Sequence, residues 1–150
     1  MAEGMYFEDY SEGLRLDFGS YLVDREEMLS FSQQWDSLPI HVEEDAMTTG
    51  YQGGLIASGE YTMAVKQRLI SSHPMGRGVI GAIGHDEVRF TKPVRAGDEL
   101  TLSGECIELR PSITKADRGI VKLRMQMRNQ DNQVVLAYID IVMIAKRAAG

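Results

Sequence analysis

GEYTMAVKQRLIS, Gly59–Ser71, has the spacing of a helix that buries one face. Tyr61, Val65 and Leu69 recur every four residues with Ala64 beside them, while Lys66, Gln67 and Arg68 supply a polar side. A loop from Ser71 to Gly84 follows, with SHPMGRG as its turn-rich centre. Beyond it the chain reads as strand. His85–Lys92 alternates through Val88 and Phe90, and Leu100–Leu109 and Ile120–Arg128 alternate again, the latter through Val121, Leu123, Met125 and Met127. NQDNQ, Asn129–Gln133, is a turn, and Val134–Ala145 is a long apolar strand. One helix followed by long antiparallel strands joined by short turns predicts an α+β domain, a sheet with its buried helix laid across one face.

Working upstream, Arg15–Val23 reads as the strand that opens the domain. Asp24 is an N-cap with Glu27 as capping-box partner, and Met28, Phe31 and Trp35 follow at helical spacing, predicted to face a core. This helix ends before Pro39, because the proline pushes Leu38 out of helical geometry. His41–Thr49 reads as a short helical turn closed by Gly50. Residues 1–12 look like a loose N-terminal arm, leaving residues 13–150 as a single domain.

The 150 residues carry a net charge of −6, with scattered basic residues, which argues against nucleic acid or a membrane surface as partner. One cysteine, Cys106, excludes an internal disulfide and a thiolate metal cluster; it sits in an alternating stretch and is expected to be a buried strand thiol. The acidic start has no signal-peptide core, and no apolar run approaches the ~20 residues of a membrane span. A cytoplasmic location is the expectation.

Chemistry concentrates in WDSLPIH, Trp35–His41. Asp36 and His41 stand five residues apart with Pro39 between them, and a proline bend can aim both at one water. A carboxylate and an imidazole sharing a water are equipped to add it to an activated double bond. Taken alone, the same spacing also describes a helix-ending aspartate and a satisfied core histidine. In GGLIASGEYTM, Gly53–Met63, Gly59 starts the long helix, where its amide and the helix dipole favour a developing oxyanion. Those glycines equally describe close packing of helix on sheet. HDEVRFTKPVRAGDEL, His85–Leu100, is a strand, a bend, a Gly–Asp turn and a strand, and demands no chemistry by itself.

Together the three segments resemble the MaoC-like dehydratases, which include the (R)-specific enoyl-CoA hydratases. WDSLPIHVEEDA follows the family signature through Asp36, Pro39, His41, Glu43 and Ala46; LIASG ends at Gly59, where the family opens its helix; VRFTKPVRAGDEL matches a later strand pair from Val88 to Leu100. Order and separations agree, and the resemblance runs from about Gly13 to Ala145. Two positions depart from the hydratase pattern: Leu38 replaces an asparagine, and Ser58 a histidine that a subgroup also replaces with serine.

The resemblance implies an α+β hot-dog fold, an antiparallel sheet wrapped around one long central helix, and reversible hydration of a 2-enoyl thioester. Asp36 and His41 would be the catalytic pair, and Gly59 would donate its amide to the thioester carbonyl. Trp35, Leu38 and Ile40 would supply apolar walls, with Ser58 beside the substrate. Arg77, Lys92, Arg95 and Arg110 are the candidates for the phosphates of a CoA substrate. A CoA or acyl-carrier-protein thioester would be the substrate, with no metal and no other cofactor. Two copies would join edge to edge as a homodimer. A hot-dog thioesterase and a non-catalytic acyl-binding or assembly domain are the alternatives.

Overall fold

The computed structural model describes residues 3–148; the first two and last two residues of the expected arm and domain lie outside the described residues. Five strands form one antiparallel sheet: β1 (Arg15–Leu22), β2 (Val79–Phe90), β3 (Glu99–Pro111), β4 (Arg118–Arg128) and β5 (Val134–Ala145), in the order β1-β3-β4-β5-β2. Alternation along β4 and most of β3 and β5 puts Leu100, Leu102, Cys106, Val121, Leu123, Met125, Met127, Leu136, Val142 and Ile144 into one apolar layer. Cys106 is a free buried thiol, as expected of a strand residue in that layer.

Among the described residues there are two helices of substantial length, not one: α4 (Gly59–Ser71), which packs on β1, and α1 (Arg25–Trp35), which packs on α4. The sequence isolates α4 because its apolar residues are regularly spaced, and Tyr61, Val65 and Leu69 are indeed buried. In α1 the expectation is only half met. Met28 is buried, but Trp35 is 66% exposed, so the apolar face runs out before the helix does. Asp24 caps the Glu27 amide at 2.9 Å, but Glu27 does not reach back as a capping-box partner. Its carboxylate instead accepts from the Tyr21 hydroxyl at 2.7 Å and the Tyr61 hydroxyl at 2.8 Å, tying β1, α1 and α4 together.

Other boundaries moved for tertiary reasons. The expected turn over His41–Thr49 is two short helices, α2 (Pro39–Val42) and α3 (Met47–Tyr51), and Gly50 lies inside the second. Most of the expected loop 71–84 is a short helix, α5 (Met75–Gly78), and the first half of β2. The glycines of that stretch weaken its own strand signal, yet β5 is long enough to pair it from Ile144 down to Leu136. The arm is not loose: Phe7 and Tyr10 are buried, and Gly119 of β4 is bare because any side chain there would meet the Phe7 ring at 2.3 Å.

Lys66, read as part of the polar side of α4, is only 4% exposed. It points at the sheet, its Nζ 5.6 Å from the centre of the Tyr138 ring, near Asp140, which is itself buried and 3.3 Å from His85 Nε2. Burial pushes the Lys66 ammonium below its usual pKa and the Asp140 carboxyl above its own, each opposed by the other's charge. Among the described residues no helix is long and apolar enough to cross a membrane.

Candidate active site

Asp36 ends α1: its amide donates to Ser32 O at 2.8 Å, and its backbone then leaves helical geometry. Two residues on, Leu38 is extended because Pro39 follows, and Pro39 opens α2 as its first residue. His41 is thereby carried one turn beyond the break. The Thr49 hydroxyl lies 2.9 Å from Pro39 O and 2.7 Å from Glu43 O, holding that turn closed from α3.

The break faces the two side chains toward each other. His41 Nε2 is 3.5 Å from Asp36 Oδ2, and the histidine side chain is only 7% exposed. The other ring nitrogen, Nδ1, lies 2.9 Å from the carbonyl oxygen of Ile56. A carbonyl can only accept, so Nδ1 carries the hydrogen, and in the neutral ring Nε2 presents its lone pair. Two acceptors therefore confront each other across a gap that neither can close alone. A water donating one hydrogen to each satisfies both.

Gly59 stands at the start of α4, where Ser58 Oγ takes the Tyr61 amide at 3.0 Å. The amides of Gly59 and Glu60 are left without intrahelical acceptors. A cleft of about 520 Å³ opens here, lined among others by His41, Gly59, Glu60, Thr62, Phe90 and Lys92. Ile56, Ala57, Pro93, Val94 and Val135 make most of its walls apolar. A Cβ at Gly59 would lie 2.8 Å from the Phe90 ring, so glycine is what lets that ring approach the helix start.

The sequence-predicted residues separate into two groups. His41, Gly59 and Lys92 line the cleft, and Asp36 meets it at His41. Trp35 and Leu38 are exposed and, with Ile40, lie outside the lining. Ser58 is fully buried and is a helix cap, its hydroxyl turned to the Tyr61 amide. Arg77 lies beyond the far end of α4, ~20 Å of helix from Gly59. Arg110 pairs with Ile120 at the far end of the sheet, ~26 Å of strand from Leu102, whose row runs through Met127 and Leu136 to Phe90. Arg95 is spent on backbone: its guanidinium donates to the carbonyls of Gln52, Gly54 and Leu55. Sequence reasoning missed the Ile56 carbonyl and the Thr49 brace. An acceptor on the main chain has no residue signature, and a buried threonine has no periodicity.

The family model described as a MaoC like domain matches residues 14–126, from just before β1 almost to the end of β4. The chain belongs to the MaoC-like domain family. A MaoC-like dehydratase of Rhodospirillum rubrum is similar at 31% identity over 97% of this MaoC-like chain and 100% of its own, with a TM-score of 0.89. An R-hydratase of Pseudomonas aeruginosa shares the fold at 20% identity, over 96% of this chain and 88% of that one, with a TM-score of 0.77. So does a conserved hypothetical protein of Mycobacterium tuberculosis described as a double hotdog fold, at 19% identity and a TM-score of 0.79, matching 98% of this chain and 46% of that one. The five-stranded sheet and helices of this MaoC-like domain are thus a hot-dog architecture of the α+β class.

Proposed function

We propose that this MaoC-like domain adds water reversibly to a 2-enoyl thioester, carried on CoA or acyl carrier protein, giving a 3-hydroxyacyl thioester. The observation that carries the reading is the 3.5 Å gap between His41 Nε2 and Asp36 Oδ2, with His41 Nδ1 already engaged by Ile56 O. Asp36 and His41 hold the water. As its oxygen bonds to C3 the pair takes one proton, the C2–C3 π electrons move toward the thioester carbonyl, and the Gly59 amide stabilises the enolate oxygen. The pair then returns the proton to C2, so one water has been added across the double bond. The apolar walls keep bulk water from competing. Lys92, at the cleft, serves the anionic end of the substrate.

The active form is a homodimer. β2 is an edge strand whose outer side has no partner among the described residues, and it exposes Ile80, Ile83 and Phe90, an arrangement that invites a second copy.

The test is absorbance at the enoyl-thioester band while purified protein meets crotonyl-CoA and longer 2-enoyl-CoAs. Loss of the band without thiol release supports the reading. Thiol release from a saturated acyl-CoA would instead make the domain a thioesterase. Turnover of neither would make it a non-catalytic acyl-binding domain.

A further inference from the structure

A water can bridge the pair for only one tautomer of His41. If the ring carried its hydrogen on Nε2, it would donate straight to Asp36 Oδ2 across the 3.5 Å gap, and Nε2 would have no lone pair left to accept from a bridging water. The choice between these states is made by Ile56 O, which accepts from Nδ1. That carbonyl belongs to the peptide joining Ile56 to Ala57, and the same peptide's amide, on Ala57, donates to Val94 O at 2.7 Å. Val94 is followed by Arg95, whose side chain turns back over the preceding residues and binds the carbonyls of Gln52, Gly54 and Leu55. Gly53 and Gly54 both have positive φ, at 75° and 128°, and the amides of this segment turn back to α3 at Thr49 and Gly50, which leaves the carbonyls of Gln52, Gly54 and Leu55 to the guanidinium. The Arg95 backbone is anchored in turn, its amide donating to Asp98 Oδ2 at 2.9 Å.

We propose that Arg95 is a positioning residue that selects the tautomer of His41. Its planar guanidinium gathers three carbonyls of a glycine-rich segment and holds the next one, Ile56 O, where it fixes the hydrogen on Nδ1. Without it the 52–55 segment relaxes, the Ile56 carbonyl turns away, and the imidazole hydrogen moves to Nε2 and closes on Asp36. The residue offered above as a candidate phosphate ligand thus acts on the chemistry through the backbone.

The test is ¹⁵N–¹H correlation of the imidazole rings at a pH where they are neutral. The chain has three histidines, so assignment of His41 needs only its substitution. The parent is expected to show Nδ1 protonated and Nε2 bare. Arg95→Met, which keeps length and loses every donor, is expected to shift His41 toward the Nε2–H form. Arg95→Lys, with a single donating head in place of the fork, is expected to fall between and decides the matter if Arg95→Met does not fold. A kinetic arm rests on the hydratase reading: kcat for crotonyl-CoA hydration should fall roughly 10- to 100-fold, with KM changing by less than about threefold, as for a misplaced catalytic group. A KM rise with unchanged kcat would restore Arg95 as a phosphate ligand and overturn the proposal. An unchanged His41 tautomer in the folded variants would overturn it too. A tautomer shift in a protein without hydratase activity would sustain it and defeat only the proposed reaction.

Discussion

Replacing Asp36 by asparagine tests the water site most directly. The gap between Asp36 Oδ2 and His41 Nε2 is 3.5 Å, longer than a good N–H···O bond. A water ~2.8 Å from both atoms sees them about 77° apart, so each O–H points about 14° off its acceptor and the angle at hydrogen stays near ~160°, well within hydrogen-bond tolerance. Asparagine preserves the shape and inverts the chemistry. Its amide can donate to Nε2, which fills the histidine's lone pair, and no carboxylate remains to take a proton. General acid–base groups contribute roughly 10²–10⁴-fold, or about 2.7–5.5 kcal/mol of barrier. Asp36→Asn should lose at least that much crotonyl-CoA hydration while melting near the parent temperature. His41→Ala should lose a similar factor. Because both remove the same water, the double variant should be no more than about tenfold below the worse single one. Initial rates at the enoyl band, with circular dichroism to certify the fold, give all four corners of the cycle. Losses that multiply in the double variant would mean two independent roles, and turnover that survives both single substitutions would remove the pair from the mechanism.

The other predictions concern the scaffold. Asp140→Leu leaves the buried Lys66 ammonium and His85 without the carboxylate beside them and should lower the urea midpoint, whereas adding Lys66→Met should recover part of that loss; a double variant no better than the single would show that Asp140 does not offset the buried ammonium. Gly119→Ala should expel the Phe7 ring and cost about 1.5–3 kcal/mol, but very little in a Phe7→Ala background; equal costs in both backgrounds would show that the ring is not what the glycine accommodates. The Arg147 guanidinium, bonded to the Asp9 carboxylate at 2.7 Å, holds that carboxyl below its usual pKa. A depressed folded-state pKa stabilises above the unfolded value and stops doing so as pH falls through the folded one. The melting-temperature gap between parent and Arg147→Ala should therefore be present at about pH 6 and close toward about pH 2, and a gap that widens in acid would refute the assignment.

Local signals were legible where one residue's chemistry acts on its immediate neighbours. Asp24 and Pro39 bracket α1 because a cap and a proline act through adjacent backbone. The limits of α4 and β5 follow from apolar spacing that no competing signal interrupts. Asp36, His41 and Gly59 were singled out together through the family resemblance, since each segment alone also read as a helix end, a core histidine or a packing glycine.

What stayed hidden depended on partners distant in sequence. The glycine-rich start of β2 becomes strand because β5 pairs with it, and Phe7 is buried because Gly119, 112 positions later, makes room. Lys66 looks like part of a solvated face until Asp140 is set across from it. Arg95, Arg77 and Arg110 are alike as letters. Only the tertiary structure sends the first to three carbonyls and the other two to far ends of the molecule. The sequence by itself determined the α+β class, because periodicity and turn chemistry are short-ranged, and it drew attention to Asp36 and His41 through the family resemblance. Which nitrogen of His41 faces Asp36 was decided by Ile56 O, a main-chain atom that every residue type carries and that only folding brings within 2.9 Å of the ring.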